Sequence, residues 1–292
     1  MALFDSEFLR RLEYLSLVSR RVFRGKLLAQ RRTKQLGGGI EFADHREYTP
    51  GDDLRYLDWN IYARYGDVLL KRFQEEEDLH VYILLDVSQS MSIASQEKFD
   101  YARRIAAALA YIALADMDRV SIYAYADEVK DILPITRGKD RILSVLRFLE
   151  RLEPSGESTR LKHVASALVQ RAQRTGLAIV ISDLYDQQGF RDGVDLLRYR
   201  RFEPHLIQLH TVEEANPTWL GDLELRDIET GDTRKVTISE RKLKQYREVF
   251  AEFLHSIDAY CRTYSLSCTR STIDLPFDEL ILRMMRAAGV TA

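Results

Sequence analysis

The sequence predicts an α/β fold with a mostly parallel central sheet and helices on both faces. Three observations carry that reading. Residues 81–85 form a continuous apolar run ending in Asp86, as expected of a strand buried on both faces. From 80 to 275, short apolar runs alternate with stretches of helical periodicity. Those stretches keep their apolar residues on one face, as Phe99, Ala102, Ile105, Ala106 and Leu109 do within 97–116.

In chain order, Phe8, Leu12, Leu15 and Val18 predict a helix over 5–32. No acidic residue lies between Tyr14 and Ile40, while Arg20, Arg21, Arg24, Lys26, Arg31, Arg32 and Lys34 do, so 1–36 reads as a basic helical arm. Gly37, Gly38 and Gly39 break it. Residues 40–67 are rich in turn formers and aromatics and read as a short irregular module within a segment spanning 37–78. It is too small to bury a core alone and is expected to pack on the main domain.

The main domain is expected over 79–275. After the strand at 81–85 and the helix at 97–116 come a strand at 120–126 and an antiparallel return strand at 129–135. Helices follow at 139–152 and 160–174, a buried strand at 177–181, a helix at 189–201 and a strand at 205–210. Residues 223–227 and 234–238 flank Glu229, Thr230, Gly231 and Asp232, which predicts a β-hairpin insertion at about 222–238. A long helix at 239–264 is capped by Ser239, and Cys261 falls beside its apolar stripe as a core thiol. A last strand occupies 266–273, and 276–292 carries a C-terminal helix.

Composition limits the function classes. The 292 residues are 46% hydrophobic and 30% charged with a net charge of −2, which argues against an electrostatic nucleic-acid binder. The two cysteines form no CxxC pair and fit a reducing compartment. The opening segment has acids and arginines among its apolar residues and does not read as a signal peptide. The longest apolar stretch lies within 105–115, short of the ~20 residues that span a bilayer. A cytoplasmic protein is the expectation.

The chemistry concentrates after residue 85. Asp86 is delivered to the carboxyl end of a buried strand, where open α/β sheets bind ligands. Ser88 and Ser90 follow at alternate positions, so a tight loop can aim both hydroxyls at one spot. A carboxylate with neutral oxygens is a hard donor set suited to Mg²⁺. Thr159 begins a later helix, and Asp183 follows the strand at 177–181, so the topology brings five oxygen donors to one sheet edge.

Asp86, Ser88, Ser90, Thr159 and Asp183, in this order and context, resemble the metal-ion-dependent adhesion site of von Willebrand factor type A domains, which have a Rossmann-like sheet. The resemblance implies that hydroxyls bind a Mg²⁺ or other divalent ion directly. The aspartates then act often through water, and one coordination position stays open for a partner's carboxylate. Leu184 stands where many members have glycine. Residues 37–64, GGGIEFADHREYTPGDDLRYLDWNIYAR, resemble the signature of the bacterial domain-of-unknown-function 58 family, and the similarity spans roughly 30–275. That family joins the signature to a type A-like domain. It implies action with a MoxR-type AAA ATPase on client proteins, as a metal-dependent adaptor and not as an enzyme. Many members carry membrane helices.

Simpler readings stand beside these. Ser88 and Ser90 can be turn residues that satisfy local backbone groups, and Thr159 or Ser158 an N-cap. Arg46, Asp52, Asp53, Arg55, Asp58, Trp59 and Arg64 fit an ion-paired plug with buried aromatics, or else a partner-docking surface. The basic run 20–34 suits a solvated face or a docking arm, and nucleic acid is the lesser alternative. The other alternative is a phosphatase-like Mg²⁺-dependent enzyme. It would need an acid two residues after Asp86, where this chain has Ser88, and no GxxxxGK[ST] or GxGxxG loop is present. His45, His163 and His205 show no metal-ligand spacing.

Overall fold

The structure, a computed structural model, describes residues 3–23, 32–35, 41–76, 78–92, 96–156, 158–186, 188–227 and 232–290. The chain forms two compact units, one of residues 1–19 with 80–292 and one of 20–79. The expected glycine break at 37–39, the basic run at 24–31 and the hairpin tip at 229–231 lie outside the described residues.

Helix α1 is described over Ser6–Phe23, within the 5–32 expected; residues 24–31 lie outside the described residues, and Arg32 already belongs to a strand. Asp5 Oδ1 accepts from the Phe8 N–H at 2.8 Å and caps the start of α1. Phe8, Leu12 and Leu15 are buried, as the periodicity requires, and the Phe8 ring lies 4.8 Å from that of Phe277.

The smaller unit is more regular than its sequence suggests. It holds β1 (Arg32–Gln35), β2 (Glu41–Glu47), α2 (Trp59–Tyr65) and β3 (Leu69–Glu76), with an antiparallel sheet in the order β1-β3-β2. The expected irregular module is thereby corrected. A register shift between Phe42 and Asp44 breaks the period-2 pattern of β2, so alternation could not reveal the strand. The acidic end of β3 reads as a boundary in sequence, but its backbone still pairs, with Arg32 opposite Glu76. Leu57 and Leu70, bridged across the sheet, are buried.

The larger unit continues with β4 (His80–Asp86), α3 (Glu97–Ala115), β5 (Arg119–Tyr125), β6 (Val129–Arg137), α4 (Ile142–Glu150) and α5 (Leu161–Arg171). Then come β7 (Leu177–Ser182), α6 (Arg191–Tyr199), β8 (Glu203–His210), α7 (Val212–Ala215), β9 (Gly221–Arg226) and β10 (Thr233–Ile238). It ends with α8 (Glu240–Thr263), β11 (Ser267–Thr272) and α9 (Phe277–Val290).

Six strands form one sheet in the order β11-β8-β7-β4-β5-β6. All neighbours pair parallel except β5 with β6, the expected return strand. Strand β4 is central and buried throughout, which explains its unbroken apolar run. One face carries Tyr82, Leu84, Tyr123 and Val180 against Leu161 and Leu168 of α5, Val194 of α6 and Ile257 of α8. Helix α3 crosses the strands on its own account and is covered by α4 and α9. That explains the alanines at 102, 106, 107, 108, 110 and 113, buried around most of its circumference, beyond the single face expected. The β9–β10 hairpin pairs as expected, from Asp222 opposite Thr237 to Arg226 opposite Thr233.

Candidate metal-binding site

Three loops meet beyond the carboxyl end of the sheet. The first follows β4. Asp86 is fully buried, and its Oδ1 accepts from the Ser88 N–H at 2.9 Å, which tightens the chain into a turn. A single 3₁₀ turn, Gln89–Ser92, follows. It brings the Ser88 and Ser90 hydroxyls to 2.9 Å from each other, both buried.

The second loop lies between α4 and α5. Its backbone is tied to the first loop, where the Ser155 N–H donates to the Val87 carbonyl at 2.6 Å, and to the β5–β6 turn, where the Arg160 N–H donates to the Ala126 carbonyl at 2.9 Å. Gly156 permits this approach, with φ +95° and with only 2.6 Å from a would-be Cβ to the Ala126 Cβ. Thr159 lies between those ties. It is 1% exposed, and its Oγ1 has no hydrogen-bond partner. It does not cap α5, contrary to the simpler expectation. Asp186 does, accepting from the Leu161 N–H at 3.0 Å.

The third loop follows β7. The Ser182 hydroxyl donates to Asp86 Oδ2 at 2.6 Å and accepts from the Leu184 N–H at 2.8 Å. Leu184 adopts φ +63°, a left-handed conformation that favours glycine, and its buried side chain holds it there. The departure from glycine therefore leaves the turn intact. Asp183, fully buried, accepts from the Tyr185 N–H at 3.1 Å through Oδ1. Its Oδ2 lies 3.0 Å from the ammonium of Lys98.

Burial, then the charge of Asp183, pushes the Asp86 carboxyl up to about 7, against the opposing hydrogen bonds from Ser182 and Ser88. Burial alone would lower the Lys98 ammonium, but Asp183 and Glu214 raise it above the usual lysine value. The Tyr125 hydroxyl, on the strand beside Asp86, is raised by burial and then by Asp86, and it lacks a hydrogen-bond partner.

The structure thus brings Asp86, Ser88, Ser90, Thr159 and Asp183 to one edge. The donor set is hydroxyl-rich. Among the described residues, no group of three or more His, Cys, Asp or Glu converges as a metal cage. The set fits a hard divalent ion, because a buried threonine oxygen without a partner costs about 1–3 kcal/mol and a cation would satisfy it. Sequence reasoning missed Lys98, Ser182, Glu214 and Tyr125. Lys98 carried a signal: it sits four residues before Ala102 and seven before Ile105, a charge in phase with the apolar face of α3.

The second expected cluster, in the smaller unit, is paired internally. Arg46 bonds Asp52 at 2.7 Å, and the Arg55 side chain bonds Asp53 through three contacts at 2.6, 2.9 and 3.1 Å. Asp58 is buried; it caps α2 through the Asn60 and Ile61 N–H groups and lies 3.0 Å from His45 Nε2. The backbone hydrogen bond from Thr49 lowers the Asp52 carboxyl, while Arg55 lowers that of Asp53 and His45 that of Asp58. Of the aromatics expected to be buried, Trp59 is 61% exposed and Tyr62 and Tyr65 are exposed with it; Arg64 of α2 is exposed too.

The family described as "Protein of unknown function DUF58" matches residues 44–255. The chain is 25% identical over 206 residues to "Uncharacterized protein Rv1480" of Mycobacterium tuberculosis and to "Uncharacterized protein Mb1516" of Mycobacterium bovis. Each match takes in 69% of this chain and 65% of the relative, so the chain spans about two thirds of those relatives' length. Similar solved structures include an aerotolerance-related membrane protein of Bacteroides fragilis at 16% identity and a TM-score of 0.46, covering 72% of this chain and 99% of that one. BatB of Bacteroides thetaiotaomicron shows 17% identity and a TM-score of 0.44, covering 71% and 99%. A von Willebrand factor type A protein of Catenulispora acidiphila shows 12% identity and a TM-score of 0.44, covering 75% and 43%. The family match covers well over half of the chain, and the chain belongs to the DUF58 family.

Proposed function

We propose that this DUF58 protein is a divalent-metal-dependent protein-binding module and not an enzyme. The observation that carries the proposal is the Thr159 Oγ1, buried without a partner at the edge that holds the paired Ser88 and Ser90 hydroxyls and two buried carboxylates. Ser88, Ser90 and Thr159 would hold a Mg²⁺ ion. Asp86 and Asp183 would balance its charge, since both already accept hydrogen bonds from the chain. When bound, the ion supplies an open coordination position for a partner's carboxylate.

The first partner to test is a MoxR-type AAA ATPase or its client, on the strength of family resemblance. Cytoplasmic residence belongs to the same proposal. Among the described residues, no helix is long and apolar enough to cross a membrane. The enzyme alternative draws no support from Ser88, a poor general acid at the position where a phosphatase of this layout needs a carboxylic acid.

The test is capture of the purified ATPase on immobilised protein with Mg²⁺ or with EDTA. Capture is expected with Mg²⁺ only and is expected to be lost in Asp86→Ala. Capture that ignores both EDTA and Asp86→Ala would overturn the metal bridge and turn attention to the 46–64 segment.

A further inference from the structure

We infer that Lys98 is a positioning residue of this site, a built-in cation that holds Asp183 and keeps the affinity for a divalent ion low. The inference rests on the metal-site reading above. Lys98 is the second residue of α3 and is fully buried, where an ammonium persists only with close anionic partners. It has two: Asp183 Oδ2 at 3.0 Å and Glu214 Oε1 at 2.6 Å.

The second oxygen of each carboxylate is also committed. Asp183 Oδ1 accepts from the Tyr185 N–H at 3.1 Å, and Glu214 Oε2 accepts from the Thr211 N–H at 2.6 Å, closing the capping box of α7. The ammonium therefore joins α3, the loop after β7 and the segment after β8 in one fixed bridge. A divalent ion among Ser88, Ser90 and Thr159 meets an Asp183 whose charge is already shared, with a like charge behind it. In a dry site that repulsion is weakly screened.

A lysine that merely ties helix to sheet makes a different prediction. Its removal would lower stability without tightening the ion. The probe is Mn²⁺, titrated calorimetrically into the wild type, Lys98→Met, Glu214→Gln and Asp86→Ala, with circular dichroism to verify each fold. Lys98→Met is expected to bind Mn²⁺ at least about tenfold more tightly, because one opposing charge is gone. Glu214→Gln is expected to bind it more weakly, since Lys98 then has Asp183 alone. Glutamine has one acceptor oxygen, which can stay on the Thr211 N–H as the capping box requires, so this variant, its fold verified, decides the matter if Lys98→Met does not fold.

Binding detected in Lys98→Met but not in the wild type would support the inference. Wild-type binding that is lost in Asp86→Ala, yet not tightened by Lys98→Met or not weakened by Glu214→Gln, would overturn the inference and leave the site standing. No Asp86-dependent binding in either the wild type or Lys98→Met would overturn both.

Discussion

Two clusters that set aspartates beside basic residues, one at the sheet edge and one in the smaller unit, are built differently. At the edge of the large sheet, Asp86, Asp183 and Lys98 are fully withdrawn from solvent. In the smaller unit, the Arg55 side chain is 81% exposed and that of its partner Asp53 is 40% exposed. Similar distances therefore carry different weight. An exposed ion pair trades one solvated state for another, whereas a buried group that loses its partner keeps a charge with nothing to answer it. The first cluster is constrained by its surroundings, and the second mainly shapes its own turn.

The comparison is most exposed to Asp183→Ala. That change leaves Lys98 with Glu214 alone and is expected to cost about 3 kcal/mol, read as a lower urea midpoint. A loss no larger than that of Arg55→Ala would erase the distinction. Next comes Gly156→Ala, which places a side chain at φ +95° and against Ala126. It is expected to cost about 1–3 kcal/mol and to weaken Mn²⁺ binding as the Thr159 loop shifts.

A smaller effect is expected from pH. The folded state holds the Asp86 proton up to about 7, against an ordinary 3.8. Between those values the native state binds more protons than the unfolded chain, so this group's contribution to stability falls as pH rises through the window. Asp86→Asn is expected to flatten that decline in urea midpoints taken from pH 4 to 7, and an unchanged slope would assign it to other groups. The smallest effects belong to the signature segment. Asp58→Ala removes a cap and should lower the midpoint measurably, while Arg55→Ala should leave it within scatter.

The sheet was legible because burial on both faces writes itself into sequence as runs such as 81–85 and 177–181. The five oxygen donors were legible because strand ends and loop order fix which residues share an edge. The antiparallel sheet of the smaller unit was not, since β2 reads EFADHRE and is interrupted by a register shift. Its support comes from ladder pairing and contacts such as Asp44 with Arg72 at 3.2 Å, which periodicity does not report. Ser182 and Glu214 were hidden for another reason. Ser182 matters through its hydroxyl's two bonds and Glu214 through a lysine 116 positions away, and no local pattern announces either.

The cross-ties among the three loops have a kinetic consequence. Ser155 on Val87, Leu161 on Asp186 and Ser182 on Asp86 hold the loops together through the chain's own bonds, and Arg160 on Ala126 adds a tie to the β5–β6 turn. If the proposed ion binds, the described parts of these loops would need little further ordering, and the slow event would be the ion's surrender of its own water. Mg²⁺ dehydrates reluctantly. Loading should then run on the clock of the metal's hydration shell and not on that of the protein, so that stopped-flow rates differ between Mg²⁺ and Mn²⁺ while remaining indifferent to solvent viscosity.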